Sequence, residues 1–178
     1  DNYQLGAKLA EKLKLKVVVD NDANVAALAE FRWGAAKGTK TMLLLTLGTG
    51  IGGGIIFDGQ LVNGPKVTAG EVGHIIINDK GPKCGCGNHG CLEAYCGTEG
   101  ILARAKALLE LPGTVSILRE MAGREYEKLT PALISQAAGK GDGPAISVLK
   151  ETGRLLGVGI ASLVNLFAPE VVVLGGGV

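Results

Sequence analysis

The sequence predicts an α/β fold, and three observations carry that prediction. The β-branched run Lys16–Val19 hands over, through Asp20-Asn21-Asp22-Ala23-Asn24, to a helical pattern that ends at Gly34. A second strand pattern, Thr41–Thr46, runs into a glycine-rich turn. A long helical pattern ending near Phe167 is followed at once by Val171–Leu174 and a second glycine run, Gly175–Gly177. Strands that alternate with helices are the signature of α/β architecture, and such folds place ligands at strand ends.

The elements follow in order. Residues 4 to 15 put Leu5, Leu9, Ala10 and Leu13 on one helical face with lysines opposite. Lys16–Val19 reads as a strand. The next helix is closed by Gly34 at the position that favours a left-handed backbone. Thr41–Thr46, Ile55–Phe57 and Gln60–Val62 read as a meander, joined by the turn through Leu47–Gly54 and a hairpin turn at Asp58-Gly59. Leu92–Leu109 reads as helix interrupted near Gly97–Gly100, and Pro112 and Gly113 end it. Thr114–Thr130 is weakly patterned. Thr130-Pro131 suits the start of a helix running to Lys140. The following helix, from about Pro144 to Phe167, carries Gly153, Gly157 and Gly159, each costing about 1 kcal/mol against alanine. Their presence suggests close approach of a backbone or ligand. Pro169 closes that helix, and Val171–Leu174 reads as a buried strand.

Composition sets limits. The 178 residues are 47% hydrophobic, enough for a core that removes about 70% of the unfolded surface from water. That fits one domain, or one plus part of another. The formal net charge is +1 and no basic run stands out, so nothing points to nucleic acid. No apolar stretch reaches membrane-spanning length. The chain opens on Asp1 rather than Met and stops just after a glycine run. Both ends are expected to be cut, so a missing targeting signal carries no weight.

The most specific stretch is Gly70–Glu93, GEVGHIIINDKGPKCGCGNHGCLE. His74, Cys84, Cys86 and Cys91 make a complete Cys₃His set, the donors of a closed structural zinc site. Disulfides or plain buried cysteines are the alternatives. A Cys-x-Cys pair is awkward for disulfides, and Gly85, Gly87 and Gly90 allow a backbone sharp enough to bring three sulfurs together. Cys96 lies outside this loop and reads as a buried free thiol.

Two further features are ambiguous by themselves. Asp22 stands at a helix start, where capping is the bland explanation. Yet Asp20, Asn21 and Asp22 are more than one cap needs. The turn Gly48-Thr49-Gly50 can form a phosphate-cradling nest. It lacks the Gly-Lys-Ser/Thr of a Walker loop, and tight turns are usually only turns.

Taken as an ordered set, DNDAN (20–24), LGTGIGGGI (47–55), AGEVGH (69–74), CGCGNHGCLEAY (84–95) and NLFAPEVVVLGGG (165–177) closely resemble the ROK family of sugar kinases and repressors. The resemblance implies an actin-like (ribonuclease-H-like) ATPase fold of two α/β lobes. Residues 1–20 would end the first lobe, and 21–178 would form most of the second, with its zinc loop. It implies Asp22 as catalytic base, and Asn21, Asp22, Glu71, His74 and Glu93 as sugar ligands. Thr49 and Gly50 become a phosphate turn, Gly175 and Gly176 a turn beside adenosine. His74, Cys84, Cys86 and Cys91 become ligands of structural Zn²⁺.

The expected activity is ATP-dependent phosphorylation of a glucose-like hexose at its 6-hydroxyl, with ATP bound as its Mg²⁺ complex. The carboxylate accepts the hydroxyl proton as the phosphoryl group transfers. The zinc is expected to hold the loop so that Glu71 and Glu93 point into the cleft. The first-lobe phosphate motif is missing from this stretch, so the chain alone is expected to be inactive and to expose surface prone to self-association. A cytoplasmic homodimer with no nucleic-acid or membrane partner is expected. The competing reading is the effector domain of a sugar-sensing repressor, whose DNA-binding element would lie outside these residues.

Overall fold

The computed structural model describes residues 3–65, 68–123 and 125–178. Its centre is a mixed four-stranded sheet. The strands are β1 (Met42–Leu47), β2 (Ile51–Phe57), β3 (Gln60–Leu61) and β4 (Val171–Gly176), in the order β3-β2-β1-β4. β1 pairs antiparallel with β2 and parallel with β4, so Leu47 faces Ile51 on one side and Gly176 on the other. The ends of β1 and β4 therefore finish side by side, next to the turn that begins β2.

The helices are α1 (Leu5–Leu13), α2 (Asp22–Trp33), α3 (Leu92–Cys96), α4 (Thr98–Glu110), α5 (Leu118–Met121), α6 (Pro131–Gly139) and α7 (Gly143–Phe167). Strand periodicity divides them between the two faces of the sheet. Met42 and Leu44 point to one face, where α2 packs Ala27 against them and Ile56. Leu43 and Leu45 point to the other, where Leu155, Leu156 and Leu163 of α7 join Leu92 of α3. The first half of α7 packs with α4, α5 and α6 around a second core that includes Ile101, Leu109, Leu118, Ile134 and Val148. Asp142 caps α7, accepting from the Ala145 N–H at 2.9 Å, and ties in the α4–α5 connection through Ser116 and Ile117.

Several sequence expectations need correction. Lys16–Val19 forms no strand. β-Branched residues favour a ladder only where a neighbour exists, and no described strand lies beside this run; Val18 and Val19 are exposed. The apolar face of α1 is likewise exposed at Leu5, Leu9 and Leu13. The glycine run at 52–54 is not turn but the middle of β2, which begins at Ile51. β4, the outer strand beside β1, is half-buried at Val171–Val173 and exposed from Leu174 on, rather than buried.

Of the three glycines expected to mark a close approach in α7, Gly153, Gly157 and Gly159, only Gly159 meets a close neighbour. A Cβ there would lie 2.7 Å from a methyl of Leu92, whereas Gly153 and Gly157 face open space. The break at Gly97 between α3 and α4, the Thr130 cap of α6 and the helix end before Pro169 are as expected.

Candidate functional site

A cavity of about 460 Å³ opens where β1, β4 and the start of α2 meet. Among the expected site residues, Asp22, Thr49, Gly50, Glu71, Glu93 and Gly176 line it. Asn21, His74 and Gly175 do not. The turn between β1 and β2 is tight, with the Gly48 N–H donating to the Gly50 carbonyl at 3.0 Å. Beside it, the Gly177 N–H donates to the Leu47 carbonyl at 2.9 Å. Gly176 adopts φ +113° so close to the Leu47 backbone that no side chain fits. The two glycine segments thus form one continuous wall. Gly175 stays in the ladder opposite Thr46, and Gly177 takes the lining position instead.

DNDAN divides its labour. Asn21 is the cap of α2, its Oδ1 accepting from the N–H groups of Ala23 at 2.9 Å and Asn24 at 3.2 Å. The buried Asn24 donates to Asp20 at 3.1 Å. That bond, followed by the Asn21 N–H, holds the Asp20 carboxyl below its ordinary value. Asp22 is the first residue of the helix and accepts only from the Ala23 N–H at 2.9 Å among the described residues. The bland capping role therefore belongs to Asn21, and Asp22 is left to face the cavity. With its carbonyl oxygen committed to the cap, Asn21 keeps only its amide NH₂ for any ligand.

The segment that carries Glu71 and His74 is anchored between them. Val72–His74 forms one tight helical turn, and the buried Val72 sits in the core against Ile51 and Ile55. Gly73 passes so close to the Ile51 backbone that only glycine is accommodated. Glu71 emerges on the cavity side of this anchor. His74, at its other end, turns Nδ1 to within 3.6 Å of the Cys84 sulfur.

His74, Cys84, Cys86 and Cys91 converge, their ligand atoms all within 4.8 Å of one another. The Cys86 and Cys91 sulfurs are 3.7 Å apart and unbonded; all four cysteines are free. A tetrahedral zinc with Zn–S of about 2.3 Å and Zn–N of about 2.0 Å needs donor separations of about 3.5–3.8 Å. The His74–Cys84 and Cys86–Cys91 pairs, at 3.6 and 3.7 Å, already have that spacing, and the whole set lies within 4.8 Å.

The loop achieves this with a bridge between Lys83 and His89, and with Gly87 and Gly90 at φ +98° and +71°. Burial pushes the Cys91 thiol up to about 12, while the Asn88 backbone holds the exposed Cys86 below its ordinary value. A raised Cys91 thiol is protonated near neutral pH, so metal binding here would displace its proton. Cys96 is a separate matter. It is buried, 3.5 Å from the Thr152 carbonyl, and pushed up to about 11 by burial, as expected of an inert thiol.

Glu93 joins the two halves of the site. Its Oε2 accepts from the Ile51 N–H at 2.9 Å. Its Oε1 lies 3.7 Å from the Cys84 sulfur and 3.9 Å from His74 Nδ1. The same carboxylate touches the glycine turn and the metal-ligand cluster. Thr46, Gly52 and Gly177 also line the cavity and were not singled out from sequence. A polar residue near the end of the apolar strand Thr41–Thr46 was the available signal for Thr46.

The ROK family model matches residues 1–178. A glucokinase from Halalkalibacterium halodurans is 42% identical over 99% of this chain, which covers 53% of that protein. A xylose repressor from Caldicellulosiruptor bescii is 36% identical over 98% of this chain and 43% of its own length. Among solved structures, a ROK family glucokinase from Streptomyces griseus, in complex with glucose and AMPPNP, superposes with a TM-score of 0.85 at 38% identity. That match covers 97% of this chain and 56% of the other. The chain thus spans about half the length of the curated relatives it matches.

Proposed function

We propose, for a chain that belongs to the ROK family over its whole length, that the full protein is an ATP-dependent kinase acting on the 6-hydroxyl of a glucose-like hexose. The observation that carries the reading is the shared cavity. It brings one helix-borne carboxylate, Asp22, to the same space as the Gly48–Gly50 turn and two further carboxylates, Glu71 and Glu93. Asp22 accepts the hydroxyl proton as general base. Thr49 and Gly50 receive phosphate oxygens of the Mg²⁺ complex of ATP, and Gly176 and Gly177 border the nucleoside. Glu71, and Glu93 through what its bonds to the turn leave free, accept sugar hydroxyls. Asn21 offers its amide, and His74 its second ring nitrogen.

Zn²⁺ bound by His74, Cys84, Cys86 and Cys91 supplies folding energy to the loop and takes no part in phosphoryl transfer. On this reading residues 21–178 form most of the second lobe of an actin-like kinase, and residues 1–20 end the first. The S. griseus glucokinase complex, which holds glucose and AMPPNP, supports both co-substrates. No helix among the described residues is long and apolar enough to cross a membrane.

A second reading, a sugar-sensing repressor domain, is favoured by the likeness to the xylose repressor. The two separate in the full-length protein. Asp22→Asn there should lower sugar-dependent ADP release by about 10²- to 10⁴-fold and leave sugar binding by calorimetry nearly intact. Turnover that survives the substitution removes Asp22 from its role. A wild-type protein with no turnover, whose DNA binding responds to sugar, establishes the repressor instead.

A further inference from the structure

The Gly48–Gly50 turn is gripped from outside its own hairpin. The Gly48 carbonyl accepts twice from Thr98, from the backbone N–H at 3.0 Å and from the hydroxyl at 2.8 Å. At the other end of the turn, the Ile51 N–H donates to Glu93 at 2.9 Å. Gly97 fills the space between, where a Cβ would come within 3.0 Å of the Thr49 carbonyl oxygen. Glu93 belongs to α3 and Thr98 opens α4, so the junction of these two helices holds the turn at both ends. The Thr98 hydroxyl is not spent on its own helix. The residue before α4 is Gly97, which has no capping side chain, and the hydroxyl reaches back 50 residues to Gly48 instead.

We propose that Thr98 is a positioning residue for the nucleotide phosphates. By fixing the Gly48 carbonyl it sets the orientation of the Thr49 and Gly50 backbone that receives them. Only the identity of the ligand rests on the kinase reading; the grip on the turn does not. A second donor to one carbonyl narrows the rotation of the Gly48–Thr49 peptide, which flanking glycines would otherwise leave loose. Among the described residues, none of the side chains proposed to bind the sugar, Asn21, Asp22, Glu71, His74 and Glu93, hydrogen-bonds to Gly48 or Thr98.

The test uses the full-length protein with Thr98→Val, which keeps the branched shape and the backbone donor but removes the hydroxyl. KM for ATP should rise about two- to tenfold, with KM for the sugar unchanged, and Thr98→Ser should restore the wild-type value. Independently of turnover, amide exchange over residues 47–52 in the ligand-free protein should quicken in Thr98→Val and recover in Thr98→Ser. Thr98→Ala gives the same exchange comparison if the valine variant does not fold.

Unchanged exchange over this segment overturns the proposal. So does a rise in both KM values together, which marks general loosening. A wild-type protein without kinase activity removes the kinase reading, and the exchange comparison still decides whether Thr98 holds the turn.

Discussion

Replacing Gly54 with alanine tests whether backbone contact seats α2, and with it Asp22. An added Cβ would overlap the Ala27 methyl and stand 2.9 Å from the Ala23 carbonyl oxygen. Ala27 is fully buried and Ala23 nearly so, and neither has a side chain that can rotate away. Either α2 lifts from β2 or β2 bends. Overpacking of this kind costs about 1–3 kcal/mol. In a chain of this size each kcal/mol lowers Tm by about 2–4 °C, so a fall of about 2–12 °C is expected. Asp22 directly precedes Ala23, and a displacement of about 1 Å at a reacting group can cost about 10²-fold in rate. Gly157→Ala is the control. Its added Cβ meets nothing within 4 Å inside α7, and the variant should gain about 0.5–1 kcal/mol. Thermal unfolding of both variants, then ADP release in the full-length protein, gives the answer. A Gly54→Ala protein as stable and as active as wild type refutes the argument, and a destabilised Gly157→Ala refutes it from the other side.

Two further outcomes are expected. Metal analysis should find about one zinc per chain, lost in Cys86→Ser. Its affinity should weaken as pH falls, since protons compete for the thiols; a metal content unaffected by the substitution would remove Cys86 from the ligand set. Glu170 accepts from the N–H groups of Thr41 and Lys40, which hold its carboxyl below the ordinary value of 4.5, Thr41 contributing most. A depressed carboxyl adds stability that is complete above its unfolded value and disappears as pH falls through the folded one. Glu170→Gln should therefore flatten the dependence of Tm on pH below about 4.5, and an unchanged acid limb would show that this contact does not anchor β4 to β1.

The metal-ligand cluster was legible in the sequence because its signal is chemical. Three thiols and an imidazole with intervening glycines have few other uses, and their donor atoms do converge. The helices with explicit caps, α6 and α7, were legible for the same reason: Thr130-Pro131 and Asp142-Gly143-Pro144 announce themselves. The middle of β2 was not. Gly52, Gly53 and Gly54 look like a turn because turns are the commonest use of glycine. The actual cause is packing on both faces: Gly54 lies under Ala23 and Ala27, Gly53 under Val72 and the Gly70 carbonyl. That cause depends on residues 17 to 31 positions away and leaves no local trace. Lys16–Val19 failed in the opposite direction, since strand propensity without a neighbouring ladder forms no strand. Thr98 was invisible because a threonine in the first turn of a helix has an ordinary explanation.

These glycines and the metal-ligand loop answer the same physical need from two sides. A cavity lined by three carboxylates, Asp22, Glu71 and Glu93, needs each of them held in place. Here each carboxylate hangs from a backbone with nowhere to go. Asp22 rides on a helix pressed against glycine, Glu71 on a turn pinned by Val72 and Gly73, and Glu93 on α3, whose Leu92 fills the space left by Gly159. The His74–cysteine cluster lies behind Glu93, with the Cys84 sulfur 3.7 Å from it, so whatever orders the cluster acts on the one carboxylate that also holds the glycine turn. The sequence reading had zinc aiming both glutamates into the cleft. In the structure the segment carrying Glu71 is also backed by the buried Val72, and Glu93 stands between the Cys84 thiol and the turn.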